Sequence, residues 1–536
     1  MTLFIVVFSC GLHHANEKPI LEPPGDVAVE LDPQAKQGLS LLLELESAAV
    51  AGKLSNAGFI SRFCFQNYCT GDVSQSNLDR LLQTAGVRTA RFLGTSHATV
   101  PSRPVQRIVV GVIDEGIYWR DFSFWEPSRR IQWLWDQKKT ENKGHVPYGQ
   151  EFPGTELQSL RELRDQLPSE FGHGFPTAIV AAGFIPGHLV TKETGFPDIP
   201  SSTPIIFVNT TGRSDDILDA VAYVISKARE INARAVINLS FGGHFGPHDG
   251  SDTFTRALDA LIGEDAVLVL AAGNDGQRST YAQFSGNPAV AELTVSNCME
   301  EDASFSVEGW YDSSTGGEVT LSDPAAQKSD TVSSDDISGW RGAAYGGVLD
   351  HRLRSANARN RGFALIVEGK CAGLTGKWKL QLHNRNGTNL LDVWLTNNKN
   401  VNVQMQHAAG NPPGFSAVAA STRAISAGAY TTDTQNQSFD VDADSGWGST
   451  RTGISKPDVL APGHVRFYAA GVGDHPTASG TSIAAAMATR CVVHLWSAHP
   501  ALTTRELRQR LRNAILLPIS GLNWKNNTQF KPDSCE

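Results

Sequence analysis

Five short apolar runs recur along the chain: RIVVGVID at 107–114, PIIFVNTT at 204–211, RAVINLSFGG at 234–243, AVLVLAAGND at 266–275 and, more weakly, AISAGAYTT at 424–432. Each is too continuously apolar for a strand with one wet face, so the pattern predicts strands buried on both faces. Between them, DDILDAVAYVISKAREINA at 215–233 and SDTFTRALDALIGED at 251–265 carry amphipathic helical spacing. Strands alternating with helices predict an α/β unit built on a parallel sheet. Asp114, Ser240 and Asn274 fall at the carboxyl ends of predicted strands, where open parallel sheets gather their chemistry.

Two regions break this rhythm. Upstream of residue 107, LSLLLEL at 39–45, AAVAGKLSNAGF at 48–59 and NLDRLLQTAGV at 77–87 predict a small α+β unit over 26–100. Between 300 and 412 the period becomes two residues, as in EVTLSDP, GFALIVEG, GKWKLQLHN and NLLDVWLTN. In KWKLQLH, Trp378, Leu380 and Leu382 share one face while Lys377, Lys379 and Gln381 take the other, and His383 falls on the solvent side. This alternation predicts an inserted β-sandwich over 300–412, with the α/β unit divided into 101–299 and 413–536.

Composition adds limits rather than identity. A chain of 536 residues implies about two to four domains. A net charge of −9, with no basic block, argues against nucleic acid as a partner. The opening MTLFIVVFS is far too short to span a bilayer, and residues 1–25 are expected to hold a signal or lipoprotein segment with a linker. The seven cysteines lack paired metal spacing; Cys64 and Cys69 are close enough to pair, and Cys491 is expected as a buried free thiol. DVDADSG at 440–446 has spaced carboxylates, but Arg451 stands where a calcium loop needs a glutamate, so a solvated acidic loop is expected, with no metal and no cofactor.

Four polar residues are candidates for chemistry. Ser482, in ASGTSIAAAMATR at 478–490, opens a small-residue helix expected to run to about Ser497, with Thr481 as its cap. A hydroxyl at a helix mouth gains from the local dipole as it becomes negative. Asp114 in GVIDEGI sits where a buried carboxylate orients an imidazole. His173 is held between Gly172 and Gly174 before a helix, and Asn274 in LAAGND is placed to donate to an oxyanion. Alone, each also reads as a cap, a turn former or a core residue.

Taken in order, GVIDEGI, HGFPTAIVAAG, VINLSFGG, LAAGNDG, KPDVLAPG and ASGTSIAAA resemble the signature blocks of the subtilisin-like serine peptidases. The resemblance implies a three-layer α/β domain. It implies Ser482 as nucleophile, His173 as general base and then acid, Asp114 as orienting acid, and Asn274 with the Ser482 N–H as oxyanion donors. Ser240, Phe241, Gly242, Ala271, Ala272 and Gly273 would line a cleft for an extended peptide. The layout is similar to bacterial subtilases with an N-terminal prodomain and an inserted jelly-roll, including the spore-germination proteases. In those relatives the prodomain assists folding, occupies the cleft and is cut off by the enzyme; here the cut is expected between about 90 and 106, in a secreted or cell-envelope protein. The chain departs from the family pattern at Glu115, at HGFPT and at Ala486. A catalytically silent scaffold that binds a partner is the competing expectation, and a glycan-binding insert ranks below it.

Overall fold

The computed structural model describes residues 107–125, 129–140, 144–162, 172–183, 199–278, 280–297, 299–325, 331–357, 359–386, 390–405, 414–433, 438–466, 477–512, 514–517 and 531–534, and upstream 20–22, 39–45, 48–65, 68–73 and 87–92 with residues 77, 80, 81 and 84. Of the expected signal segment and linker at 1–25 only 20–22 are described, and of the expected cleavage stretch at about 90–106 residues 93–106 lie outside the described residues.

The central sheet contains strands β1 (Arg107–Asp114), β2 (Ile131–Asp136), β3 (Gln150–Pro153), β4 (Ile205–Asn209), β5 (Ala233–Leu239), β6 (Ala266–Ala271), β7 (Ile425–Asp433), β8 (Val459–Pro462), β9 (Ala514–Leu517) and β10 (Lys531–Ser534). Their spatial order is β10-β9-β8-β7-β6-β5-β1-β4-β2-β3. Neighbours along this order run parallel, except that β3 is antiparallel to β2. Strand β1 pairs with β4 on one side and β5 on the other, so the order reverses at β1 and Asp114 ends the strand at that switch point.

Both faces of the sheet are covered, as the unbroken apolar runs require. Val110 and Val112 face one layer with Phe175 and Ile179 of α1 (Gly174–Ala182) and Ile483 and Met487 of α4 (Thr481–Ala498). Val109 and Ile113 face the opposite layer with Val221 and Val224 of α2 (Ser214–Glu230) and Leu258 of α3 (Thr253–Leu261). Each such side chain, fully buried, contributes roughly 1.5–3 kcal/mol over its exposed state.

The period-two region forms two antiparallel sheets, of six and five strands, whose inner faces share one core that includes Trp378, Leu380, Leu382, Phe305, Phe363 and Leu365. The sheets take in Tyr281–Ser285 and Ala289–Ser296, upstream of residue 300. In the second of these, Ala289, Ala291, Leu293 and Val295 alternate inward, a period-two signal that sits directly after the α/β pattern and merges with it in sequence. Trp310 and Trp394 are buried, and His383 is exposed.

The insert is tied to the α/β unit by polar contacts that are largely shielded from water. Arg451 donates to Asp392 at 2.7 Å, Asn360 at 2.9 Å and Asp312 at 3.1 Å. The 244–252 loop, which follows the β5 strand end, donates Gly246 N–H to Glu308 at 2.8 Å and bonds Ser251 to Ser355. Upstream, five short strands form a separate sheet in the order 20–22, 87–92, 39–45, 68–73, 59–65, with its own core of Leu43, Leu45, Leu54 and Phe59 beneath the 3-10 helix Ala48–Ala57. Cys491, expected as a free thiol, is disulfide-bonded, as are Cys69 and Cys371; being inside an apolar helix does not keep a thiol unpaired.

Arg451 and Asp392 are 11% and 6% exposed, so removing the guanidinium strands a buried carboxylate. Arg451→Met is expected to cost about 3 kcal/mol of stability. The measurement is the denaturant midpoint with the slope held fixed; an unshifted midpoint refutes the interface role.

Candidate active site

Three chain segments converge at the carboxyl edge of the sheet. The first is the turn after β1. Asp114 has no exposed surface, so its carboxylate must be solvated by the protein. Oδ1 accepts from the Glu115 N–H at 2.7 Å and lies 2.6 Å from His173 Nδ1; Oδ2 accepts from the Thr177 hydroxyl at 2.8 Å.

The second segment is the start of α1, where His173 is the N-cap residue. Its approach to the β1 turn depends on Gly172 and Gly116, since a Cβ on either would lie 2.5 Å from the other's Cα. The Gly174 N–H donates to the Glu115 carbonyl at 2.6 Å and locks this docking. The His173 ring is half-exposed, and its Nε2 is 3.0 Å from Ser482 Oγ.

The third segment is the mouth of α4. Gly480, not Thr481, is the N-cap; its φ of 108° suits a residue without a side chain. Thr481 instead links to the β6 end: its N–H and hydroxyl both donate to Asn274 Oδ1, at 2.8 and 2.9 Å, and its hydroxyl accepts from Gly273 N–H at 3.1 Å. Oδ1 is thus committed to Thr481, which leaves the amide N–H groups of Asn274 as its remaining donors, and Asn274 itself is exposed. The Ser482 N–H belongs to the first helical turn, where N–H groups lack intrahelical acceptors.

The remaining predicted residues border the same space. The Ser240 hydroxyl donates to the Ser482 carbonyl at 3.3 Å, and Phe241 lies with its ring centre 6.5 Å from that of His173. Ala271 and Ala272 are buried at the β6 end, beside Gly273. Gly242 abuts Ser416, whose N–H donates to Ala272 O at 2.7 Å and whose hydroxyl accepts from Gly243 N–H at 3.0 Å. A pocket of about 70 Å³ opens beside Phe241, lined by Ile217, Leu239, Phe254 and Val418 together with the polar Asp252 and Thr255.

Three of these positions were not anticipated from sequence: Thr177, Thr481 as the partner of Asn274, and Ser416. Thr177 had a usable signal, a hydroxyl one helical turn after His173. Ser416 had none, because its partners Gly243 and Ala272 lie far off in the chain, Gly243 173 residues away. Glu115, the unusual second carboxylate, points away from Asp114 and pairs with Lys138 at 3.1 Å, both partly exposed. In the acidic 440–446 loop Asp440 and Asp444 are exposed, while the Asp444 carbonyl accepts from Gly276 N–H and Gly446 N–H donates to Gly273 O, bracing the Asn274 turn.

The pKa of His173 is raised, first by its hydrogen bond to Asp114, against the opposing effect of burial, and further by the charges of Asp114 and Glu115. Those negative charges favour the imidazolium, so removing one must lower the pKa. Glu115→Gln is therefore expected to shift the His173 titration to lower pH, followed by NMR of the ring protons. An upward or absent shift rules out that electrostatic role.

Comparison with known proteins gives a consistent picture. The family model described as subtilase family, peptidase S8, matches residues 106–533. Alkaline protease 1 of Aspergillus clavatus is 27% identical over 163 residues, covering 30% of this chain and 37% of its own length. The subtilisin-like serine protease AsES of Sarocladium strictum is 28% identical over 172 residues, covering 31% of this chain and 42% of its own. The chain thus spans less than half the length of these two fungal relatives. Among solved structures, the CspB protease of Clostridium perfringens superposes with a TM-score of 0.60 at 19% identity, covering 75% of this chain and 85% of that one, a likeness of fold.

Proposed function

Because the chain belongs to the subtilase family, we propose that it is a serine endopeptidase that cleaves peptide bonds through an acyl-enzyme on Ser482. The observation that carries this reading is the unbroken line from Asp114 through His173 to Ser482, with contacts of 2.6 and 3.0 Å. Ser482 Oγ attacks the scissile carbonyl while His173 Nε2 takes its proton. Asp114 holds the ring in the tautomer that leaves Nε2 free to accept, then stabilises the imidazolium. The carbonyl oxygen, now negative, receives the Asn274 amide and the Ser482 N–H. His173 returns the proton to the leaving amine, and water repeats the sequence to release the acyl group.

The substrate is a protein or peptide bound extended between Ser240–Gly243 and Ala271–Gly273, with an apolar side chain in the pocket beside Phe241. No metal or organic cofactor enters this scheme. The silent-scaffold alternative is disfavoured, since the three side chains it would have no need of are already within bonding distance.

The separate upstream sheet, ending at Phe92, acts as a prodomain that the enzyme removes from itself, within the stretch before Arg107. The disulfides at Cys69, Cys371 and Cys491 support an oxidising, extracytoplasmic location. Among the described residues no helix is long and apolar enough to cross a membrane; a lipid anchor at Cys10 concerns residues outside those described.

Ser482→Ala is expected to abolish hydrolysis and leave the fold intact, and Asn274→Ala to lower kcat by about 10²–10³ with KM little changed. Full activity in the serine variant overturns the triad; unchanged kcat in the asparagine variant removes only the oxyanion role. Wild type and Ser482→Ala, expressed side by side and sized at their N-termini by mass spectrometry, test processing: a cut between about 90 and 106 is expected in wild type alone. An intact wild-type chain that still hydrolyses peptides overturns self-cleavage, and equal cleavage in both assigns it to another protease.

A further inference from the structure

Beside the proposed oxyanion donor lies a line of buried ionisable groups that the reaction scheme does not use. Asp275, next in sequence to Asn274, accepts from His244 Nε2 at 2.9 Å. His244 Nδ1 is 3.3 Å from His248 Nε2, and His248 Nδ1 is 2.9 Å from the Gly246 carbonyl. His244 and His248 are 6% and 1% exposed, so water satisfies neither ring.

The proton positions follow from what each neighbour can do. A carbonyl oxygen only accepts, so His248 Nδ1 carries a proton. Burial is the largest cause pushing the His248 pKa well below its usual range, so a ring with its proton on Nδ1 presents Nε2 as an acceptor. His244 Nδ1 must then donate to it. On the other side of the ring, burial would raise the Asp275 carboxyl, but the bond and charge of His244, with Arg278, hold it below its usual range, so it is a carboxylate that can only accept. Both nitrogens of His244 therefore face acceptors, Asp275 on one side and His248 Nε2 on the other. Besides these partners, the ionised groups near the two rings are Arg278, 3.3 Å from Asp275, Arg451, whose backbone N–H bonds the His248 carbonyl, and Glu308, reached through Gly246 N–H; the Phe415 carbonyl also faces His248.

The far end of the line is in the insert. His248 stacks on Trp394 with ring centres 4.1 Å apart and planes at 4°, and Trp394 stacks on Tyr281. The insert thus sets where His248 sits, His248 sets the His244 ring, and His244 fixes the carboxylate adjoining Asn274.

We propose that His244 is a buried imidazolium that acts as a positioning residue, holding the Asn274 turn in register through Asp275, with Trp394 of the insert as the fixed end of the device. This rests on the reading of Asn274 as an oxyanion donor. A donor displaced by a fraction of an ångström binds the ground state as before and stabilises the charged intermediate less well, so the loss is expected in kcat alone.

Two measurements decide it. In the Ser482→Ala protein at pH 7, imidazole ¹⁵N spectra assigned by the loss of signal in a His244→Gln derivative are expected to show both His244 nitrogens protonated and a neutral His248 with its proton on Nδ1; a neutral His244 overturns the proposal. In the otherwise native chain, with active enzyme counted by active-site titration, Asp275→Asn and Trp394→Leu are each expected to lower kcat about tenfold with KM within about twofold, and Trp394→Phe, which keeps a stacking face, to restore it. Unchanged kcat, or KM rising in parallel, overturns the positioning role. If wild type shows no Ser482-dependent hydrolysis, the reading of the site fails instead, while the spectra still decide the charge state.

Discussion

A carboxylate with no exposed surface has to be solvated by the chain itself, and the arrangement around Asp114 is organised by that need. One backbone N–H, one threonine hydroxyl and one imidazole N–H supply the donors. Two of the three come from α1, so the helix cannot shift without leaving a buried charge short of partners. That is why the glycines at 116 and 172 matter: they let two backbones approach until the donors reach. The orientation of His173, and through it the contact with Ser482, follows from satisfying Asp114.

The same economy of partners operates on the other side of the cleft. Asn274 is fixed by Thr481, its turn is braced by Asp444 and Gly446, and Ser416 bridges the ends of β5 and β6. These are bonds between loops, not within elements. Loops that must hold a geometry to within tenths of an ångström need such cross-links, because their own backbones do not fix them. The insert adds a second set through Arg451 and the 244–252 loop, which joins its packing to the strand-end side of the α/β unit.

What was legible in the sequence follows from this division. Five of the ten strands named in the central sheet showed as apolar runs, and α2 and α3 as helical periodicity, while Asp114, His173, Asn274 and Ser482 each stand inside a contiguous block that carries its own glycines and small residues. The cross-links were not legible, because each joins residues far apart in the chain: Ser416 with Gly243, Arg451 with Asp392, His244 with Asp275. The first strands of the insert were hidden for a different reason, since AVAELTVS follows an α/β block without a break in composition. Thr481 read as a cap from its position, whereas Gly480 takes that place and frees the threonine to hold Asn274.

His173 and Ser482 meet across 309 residues of sequence, with the whole insert between them. During synthesis Asp114 and His173 leave the ribosome long before Ser482, the last of the three side chains to arrive. A nascent chain therefore cannot close the line from Asp114 through His173 to Ser482 until the insert has passed and the C-terminal segment is available, and contacts of such high sequence separation form slowly. Chain order alone thus works as a timer; under the proposed peptidase reading it keeps the site unassembled while the chain's own unfolded segments are most open to attack.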